Sequence, residues 1–116
     1  MDTNYYLEKA NIFSKLFPLL EILVGETRIT VKVGYYFDDI NTKHFSKFIN
    51  EILLETHVDV IINLENVNFI CSNFAINSLQ WKYDFKKLNR NIDFINVSKS
   101  VEDVFELVSG ETITNL

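Results

Sequence analysis

Apolar and polar positions along the chain fall into periodic blocks, and each block predicts an element. Ile12, Phe13, Leu16 and Phe17 recur at the spacing of one helix face, and Pro18 then disfavours further helix. Leu19 to Val24 and Arg28 to Phe37 read as two strands joined across Gly25-Glu26-Thr27. In the second strand Ile29, Val31 and Val33 alternate with Thr30, Lys32 and Gly34, which predicts one solvated face. A connection this short predicts an antiparallel hairpin.

The period then changes. Phe45, Phe48, Ile49, Ile52 and Leu53 form a wide apolar stripe at helical spacing, with Asn41 or Thr42 as the cap. Val58 to Leu64 is almost continuously apolar, as expected of a central strand covered on both faces. After Glu65 to Ile70, a second helix runs from about Ser72 to Asn89. Phe74, Ser78, Trp81, Phe85 and Leu88 share its stripe, with Ala75 and Leu79 beside it. Ile92 to Val97 is a short strand. Ser98 or Ser100 caps a third helix carrying Val101, Val104, Phe105 and Val108, and Gly110 suits the left-handed position that ends it. Strands alternating with helices predict an α/β sandwich with parallel pairing among the later strands and right-handed crossovers.

Composition narrows the function. A chain of 116 residues holds one core. Hydrophobic residues at 47 % and charged residues at 23 % describe a folded chain. A net charge of −5 with no basic block argues against nucleic acid as a partner. The apolar runs, such as Phe17-Pro18-Leu19-Leu20, fall short of the ~20 residues that span a bilayer, so no membrane insertion is expected. The opening residues Met1-Asp2-Thr3-Asn4 carry an acid where a secretory signal carries basic residues, which predicts a cytoplasmic protein. Gly25, Gly34 and Gly110 are too far apart to form a phosphate-cradling loop. Cys71 is the only cysteine, and His44 and His57 are far apart, so no metal site and no cofactor is expected.

Residues 58 to 110 resemble the STAS family, the anti-sigma-factor-antagonist domains also found in sulfate transporters. The strand Val58 to Leu64 leads through Val67-Asn68-Phe69-Ile70 to Cys71-Ser72-Asn73-Phe74, where the family has Asp-Ser-Ser/Thr-Gly at the start of a helix. A helix with Leu79, a short strand from Ile92 to Val97, a Ser-started helix and the pair Ser109-Gly110 follow in the family's order. Upstream, Tyr35-Tyr36-Phe37-Asp38 aligns with the family's Gly-x-Leu-Asp. The motif's aspartate and glycine are replaced by Cys71 and Phe74, and the upstream glycine by Tyr35. The resemblance implies a mixed sheet of four to five strands packed with three to four helices. It assigns residues 18–116 to the STAS-like domain and leaves residues 1–17 as a helical extension. That extension either packs on the domain's own sheet or offers a dimer or partner surface.

The resemblance also implies a bacterial, non-enzymatic module that binds protein, either a kinase-type anti-sigma factor or another signalling or transport subunit. Ser72 aligns with the serine that accepts phosphate and so switches partner binding. The competing role for Ser72 is a helix cap. The implied docking surface comprises Asp38, Cys71, Ser72, Asn73, Phe74 and Ile76. The alternative is a permanent STAS subunit of a lipid-transporter or stressosome-like assembly, which a bulky Phe74 at the docking helix would suit. Cys71 has the chemistry of a nucleophile, but a phosphatase-type loop would need an arginine where the chain has Asn77, so no catalytic residue is assigned. Asp38-Asp39 and Glu102-Asp103 read as complements to helix dipoles. Lys82, Lys86, Lys87 and Arg90 form a basic side on the second helix. Tyr35, Tyr36, Trp81 and Tyr83 are candidate exposed anchors for a partner.

Overall fold

The alternation of Ile29, Val31 and Val33 with polar neighbours sets the orientation of the whole sheet: these three side chains are fully buried, and Thr30 and Lys32 lie on the other face. The structure is a computed structural model that describes residues 20–34 and 36–110. The elements are β1 (Leu20–Val24), β2 (Arg28–Val33), α1 (Asp39–Glu55), β3 (Asp59–Asn63), α2 (Ser72–Lys87), β4 (Ile92–Ile95) and α3 (Lys99–Ser109). They form a four-stranded mixed sheet in the order β1-β2-β3-β4, with three helices. The hairpin β1-β2 is antiparallel, closed by the Gly25 amide donating to the Arg28 carbonyl at 2.8 Å, and β2-β3 and β3-β4 are parallel. This is the α/β arrangement with parallel later strands that the order of elements predicts, and the mixed four-stranded sheet with three helices falls within what the resemblance implies. The expected extension at residues 1–17 lies outside the described residues.

Among the described residues, the three helices cover one face of the sheet. Val60 and Ile62 of β3 are buried beneath the helices, whereas Asp59, Ile61 and Asn63 are half-buried on the far side. Among the described residues, the expectation of a central strand covered on both faces is met on the helix side only. Ile61 supplies the apparent continuity of the apolar run, yet it sits across the far face between Thr30 and Asp93. Under the helices lies an aromatic cluster in which Phe37, Phe45, Phe74 and Phe105 are fully buried.

Several termini differ from the sequence reading, each for a local reason. Asp38, ahead of the expected Asn41 or Thr42, caps α1, its carboxylate accepting from the Asn41 amide at 2.8 Å. The helix α2 ends at Lys87 rather than Asn89, which takes a left-handed φ of 55°. The Asn89 amide donates to the Lys86 carbonyl and the Arg90 amide to the Phe85 carbonyl, the paired bonds of a Schellman termination. Leu88, read as part of the α2 stripe, is consequently exposed. That termination also turns Arg90 inward. Its guanidinium lies 4.6 Å from the Phe85 ring and donates to the carbonyls of Leu53 and Val58 at 2.8 and 2.7 Å and to the Thr56 hydroxyl at 3.1 Å. Arg90 is thus a buried clamp on the end of α1 and not part of a solvated basic face. At the end of α3, Gly110 has φ 78° and its amide donates to the Glu106 carbonyl at 2.8 Å, in the conformation glycine adopts without strain.

Candidate functional site

Each parallel strand feeds a helix from its carboxyl end, so the starts of α1, α2 and α3 gather at one end of the sheet, where α/β proteins place their sites. The first two starts are clipped together by the backbone. The Phe37 amide donates to the Phe69 carbonyl at 3.0 Å, and the Cys71 amide donates to the Phe37 carbonyl at 2.8 Å. Phe37 and Ile70 thereby form an isolated parallel bridge. A third link joins α3, because the Ser100 hydroxyl donates to the Asn68 carbonyl at 3.2 Å.

Side chains reinforce this clip. Asn73, in the first turn of α2, donates from Nδ2 to Asp39 Oδ1 at 3.0 Å, tying it to the first turn of α1. The Cys71 thiol meets the Thr42 hydroxyl at 3.4 Å. Asn41 Nδ2 donates to the Tyr36 carbonyl at 3.0 Å, fixing the approach to α1. Cys71 stands at the cap position of α2 and makes no side-chain capping bond. Ser72 is the first residue of the helix and is exposed. The capping role proposed for Ser72 therefore falls to its neighbour's position, and the Ser72 hydroxyl stands at an accessible helix start, where the dipole favours negative charge.

The structure brings Asp38, Cys71, Ser72, Asn73 and Ile76 to this end of the sheet: Ser72, Asn73 and Ile76 are exposed, Asp38 and Cys71 half-buried. It does not bring Phe74 to the surface. Phe74 is fully buried, with its ring centroid 4.2 Å from that of Phe37 and 5.7 Å from that of Trp81. The expectation that Phe74 belongs to the docking surface is corrected. The helix turn that exposes Ser72 and Asn73 points the next residue inward, and the larger side chain fills the core between α1 and α2. Trp81, offered as an exposed anchor, is also a core residue, whereas Tyr36 and Tyr83 are exposed. Tyr35 lies outside the described residues.

Two apolar residues of this surface escape the sequence reading. Ile40 is 68 % exposed and Phe69 is 52 % exposed. With Tyr36 and Ile76 they put four large apolar side chains on the segments that build the clip. Ile40 falls outside the buried stripe of Thr42, Phe45, Phe48, Ile49 and Ile52, and that mismatch is the signal that could have found it. Phe69 looks like a core residue of the lead-in. Only the bridge, which uses the backbone of Phe69 and buries Ile70, shows that its side chain points out. Among the described residues no group of three His, Cys, Asp or Glu is placed to hold a metal, and no helix is long and apolar enough to cross a membrane. What the arrangement presents is a mixed apolar and polar exposed surface that includes the Ser72 hydroxyl.

Comparison with known proteins places the fold. No protein-family model matches the sequence, and no curated protein matches it by sequence. Solved structures do match. The unphosphorylated form of the anti-sigma factor antagonist SpoIIAA superposes with a TM-score of 0.68 at 17 % identity, over 76 % of this chain and 78 % of that one. The phosphorylated form of the Bacillus cell fate determinant SpoIIAA gives 0.65 at 15 % identity, over 78 % and 83 %. The murine anion transporter Slc26a9 gives 0.54 at 13 % identity, over 84 % of this chain and 20 % of the transporter.

Proposed function

We propose that this STAS-like domain is a protein-binding module of the anti-sigma-factor-antagonist type, non-enzymatic and cytoplasmic, which docks a kinase-type anti-sigma factor or a comparable signalling subunit through the starts of α1 and α2. The observation that carries this reading is the exposure of Tyr36, Ile40, Phe69 and Ile76 around the accessible Ser72. Monomeric soluble proteins seldom leave a cluster of large apolar side chains at one end of a sheet without a partner for it. Likeness in fold to a protein described as an anti-sigma factor antagonist, solved in phosphorylated and unphosphorylated forms, supports the same direction.

Ser72 is the switch residue of this reading. A phosphate there adds about two negative charges and three acceptor oxygens in the middle of the apolar surface. The positive end of α2 accommodates that charge, while Asp39, held through Asn73, sits on the acidic side of the site. A partner resting its apolar surface on Ile40 and Ile76 would have to desolvate the phosphate, and release follows.

The second reading is a permanent subunit of a larger assembly, with no switch. Its original support, a bulky Phe74 in the interface, falls away because Phe74 is internal. The exposed apolar quartet supports it instead. One experiment separates the two. Ser72→Asp is compared with wild type for recovery of partners from the native cells, alongside the intact mass of the native protein. The switch reading predicts a phosphate-sized mass increment at Ser72 and loss of the partner in Ser72→Asp. An unmodified Ser72 with full retention of the partner contradicts it and leaves the permanent subunit.

A further inference from the structure

The sheet has one parallel edge, and its chemistry is unlike that of the rest of the protein. β4 pairs with β3 on one side, and among the described residues no strand pairs with its other side. The Val60 amide donates to the Asn91 carbonyl at 2.9 Å and the Leu64 amide to the Ile95 carbonyl at 3.0 Å. In a parallel ladder alternate residues turn their peptide groups toward the same neighbour. Asn91, Asp93 and Ile95 thus face β3, and the peptide groups of Ile92 and Phe94 face the open side. Two outward amides and two outward carbonyls are the minimum template for an added strand.

Beside this edge runs a groove of about 370 Å³ between α2 and β4. Leu79, Lys82, Tyr83 and Lys86 line it from the helix, and Asn91 and Asp93 from the strand side, with Arg90 at the junction of the two. In a protein of net charge −5, this groove presents two lysines, Lys82 and Lys86, and one carboxylate, Asp93. Lys82 is poised at the edge itself, its ammonium 3.6 Å from Asp93 and 6.0 Å from the centre of the Phe94 ring. On the far face of the sheet the edge carries the Asp93 carboxylate, which Lys82 pairs, and the apolar Ile95, which is 39 % exposed.

We propose that the β4 edge accepts an extended partner segment that alternates acidic and apolar residues and continues the sheet as a fifth strand. Main-chain bonds to Ile92 and Phe94 supply the register. Side chains of the added strand that point toward the helices meet Lys82 and Lys86, so carboxylates fit there. Side chains on the opposite face meet Ile95 beyond the Lys82–Asp93 pair, so an apolar residue fits beside Ile95. Charge also decides against a second copy as occupant. A two-fold pairing of β4 with β4 would set Lys82 and Lys86 of one chain against the same lysines of the other. The surface is separate from the α1 and α2 starts, so the proposal stands or falls independently of the reading of Ser72.

The test uses the full chain, isotopically labelled, titrated with the capped peptide Glu-Val-Glu-Val-Glu-Val and with its counterpart Lys-Val-Lys-Val-Lys-Val while backbone amide shifts are followed. The expected result is selective binding of the acidic peptide, with the largest shifts at Ile92, Phe94 and the Lys82–Lys86 turn. The affinity should fall by about tenfold in Lys82→Gln/Lys86→Gln and weaken with added salt. Lys86→Glu, which leaves the contact between Lys82 and Asp93 in place, should reduce binding in the same direction. Equal binding of the two peptides, shifts centred on another surface, no binding, or a concentration-dependent dimer that pairs β4 with itself would each overturn the proposal.

Discussion

The rings of Phe37 and Phe74 lie 4.2 Å apart between centroids, one from the segment that enters α1 and the other from the first turn of α2. Neither ring is exposed. Phe37 also carries the two backbone bonds of the clip, to Phe69 and from Cys71. The pair therefore joins the core to the exposed surface at the starts of α1 and α2: packing below fixes the spacing of the exposed residues above. Phe74, at the position where the resembled motif carries glycine, serves here as a core anchor.

It follows that placing glycine at position 74 does not enlarge the exposed surface but opens the core. Phe74→Gly removes a buried aromatic and places glycine in a helix. Phenylalanine-to-alanine changes in cores cost about 3–5 kcal/mol, and glycine in a helix adds about 1 kcal/mol. We expect loss of most of the domain's stability in urea denaturation. Phe74→Leu, which keeps much of the volume, should retain the fold at a lower midpoint.

Cys71 offers the opposite case. It occupies the cap of α2 without a capping bond, so Cys71→Ser supplies an acceptor for the free amides of the first turn. The expected gain is about 0.5–1 kcal/mol in the same denaturation measurement, less the contact with Thr42 that the thiol makes. A loss of stability would mean that the thiol's packing outweighs the cap.

Arg90 should be among the costliest polar positions. Arg90→Met keeps the length of the side chain and its contact with Phe85, but strips donors from the buried carbonyl of Val58 and the part-buried carbonyl of Leu53. Bonds from a charged donor are worth about 1.5–3 kcal/mol, so a loss of about 3 kcal/mol is expected in thermal or urea unfolding. Native-state hydrogen exchange should show the last turn of α1 opening most in this variant.

Gly110 tests a single backbone angle. A Cβ there meets nothing within 4 Å, so the cost of Gly110→Ala comes only from its φ of 78°. About 1 kcal/mol is expected for alanine, and less for Gly110→Asn, read from the shift in the unfolding midpoint.

These cases show what the sequence made legible. Helical and strand periods located every described element, because burial imposes them, and the parallel order followed from alternation of strand and helix. The chain's direction into the core at single residues was not legible. Phe74 and Ile76 lie two apart on one helix and face opposite ways, and a motif alignment carries no phase by which to separate them. Arg90 looked like the end of a basic helix face because nothing local announces the Schellman turn except Asn89. Ile40 and Phe69 were hidden because an apolar residue reads as core until the backbone bridge beside it is known.

The central claim is that the exposed side chains at the starts of α1 and α2 bind a protein. Ile76 is exposed on α2, so Ile76→Glu should leave the unfolding free energy within about 0.5 kcal/mol of wild type. The most direct measurement is quantitative affinity capture from the native cells with wild type, Ile76→Glu and the far-face control Leu23→Glu as bait. We predict a partner recovered with wild type and Leu23→Glu and lost with Ile76→Glu, at unchanged stability. Equal recovery of that partner by all three would contradict the account.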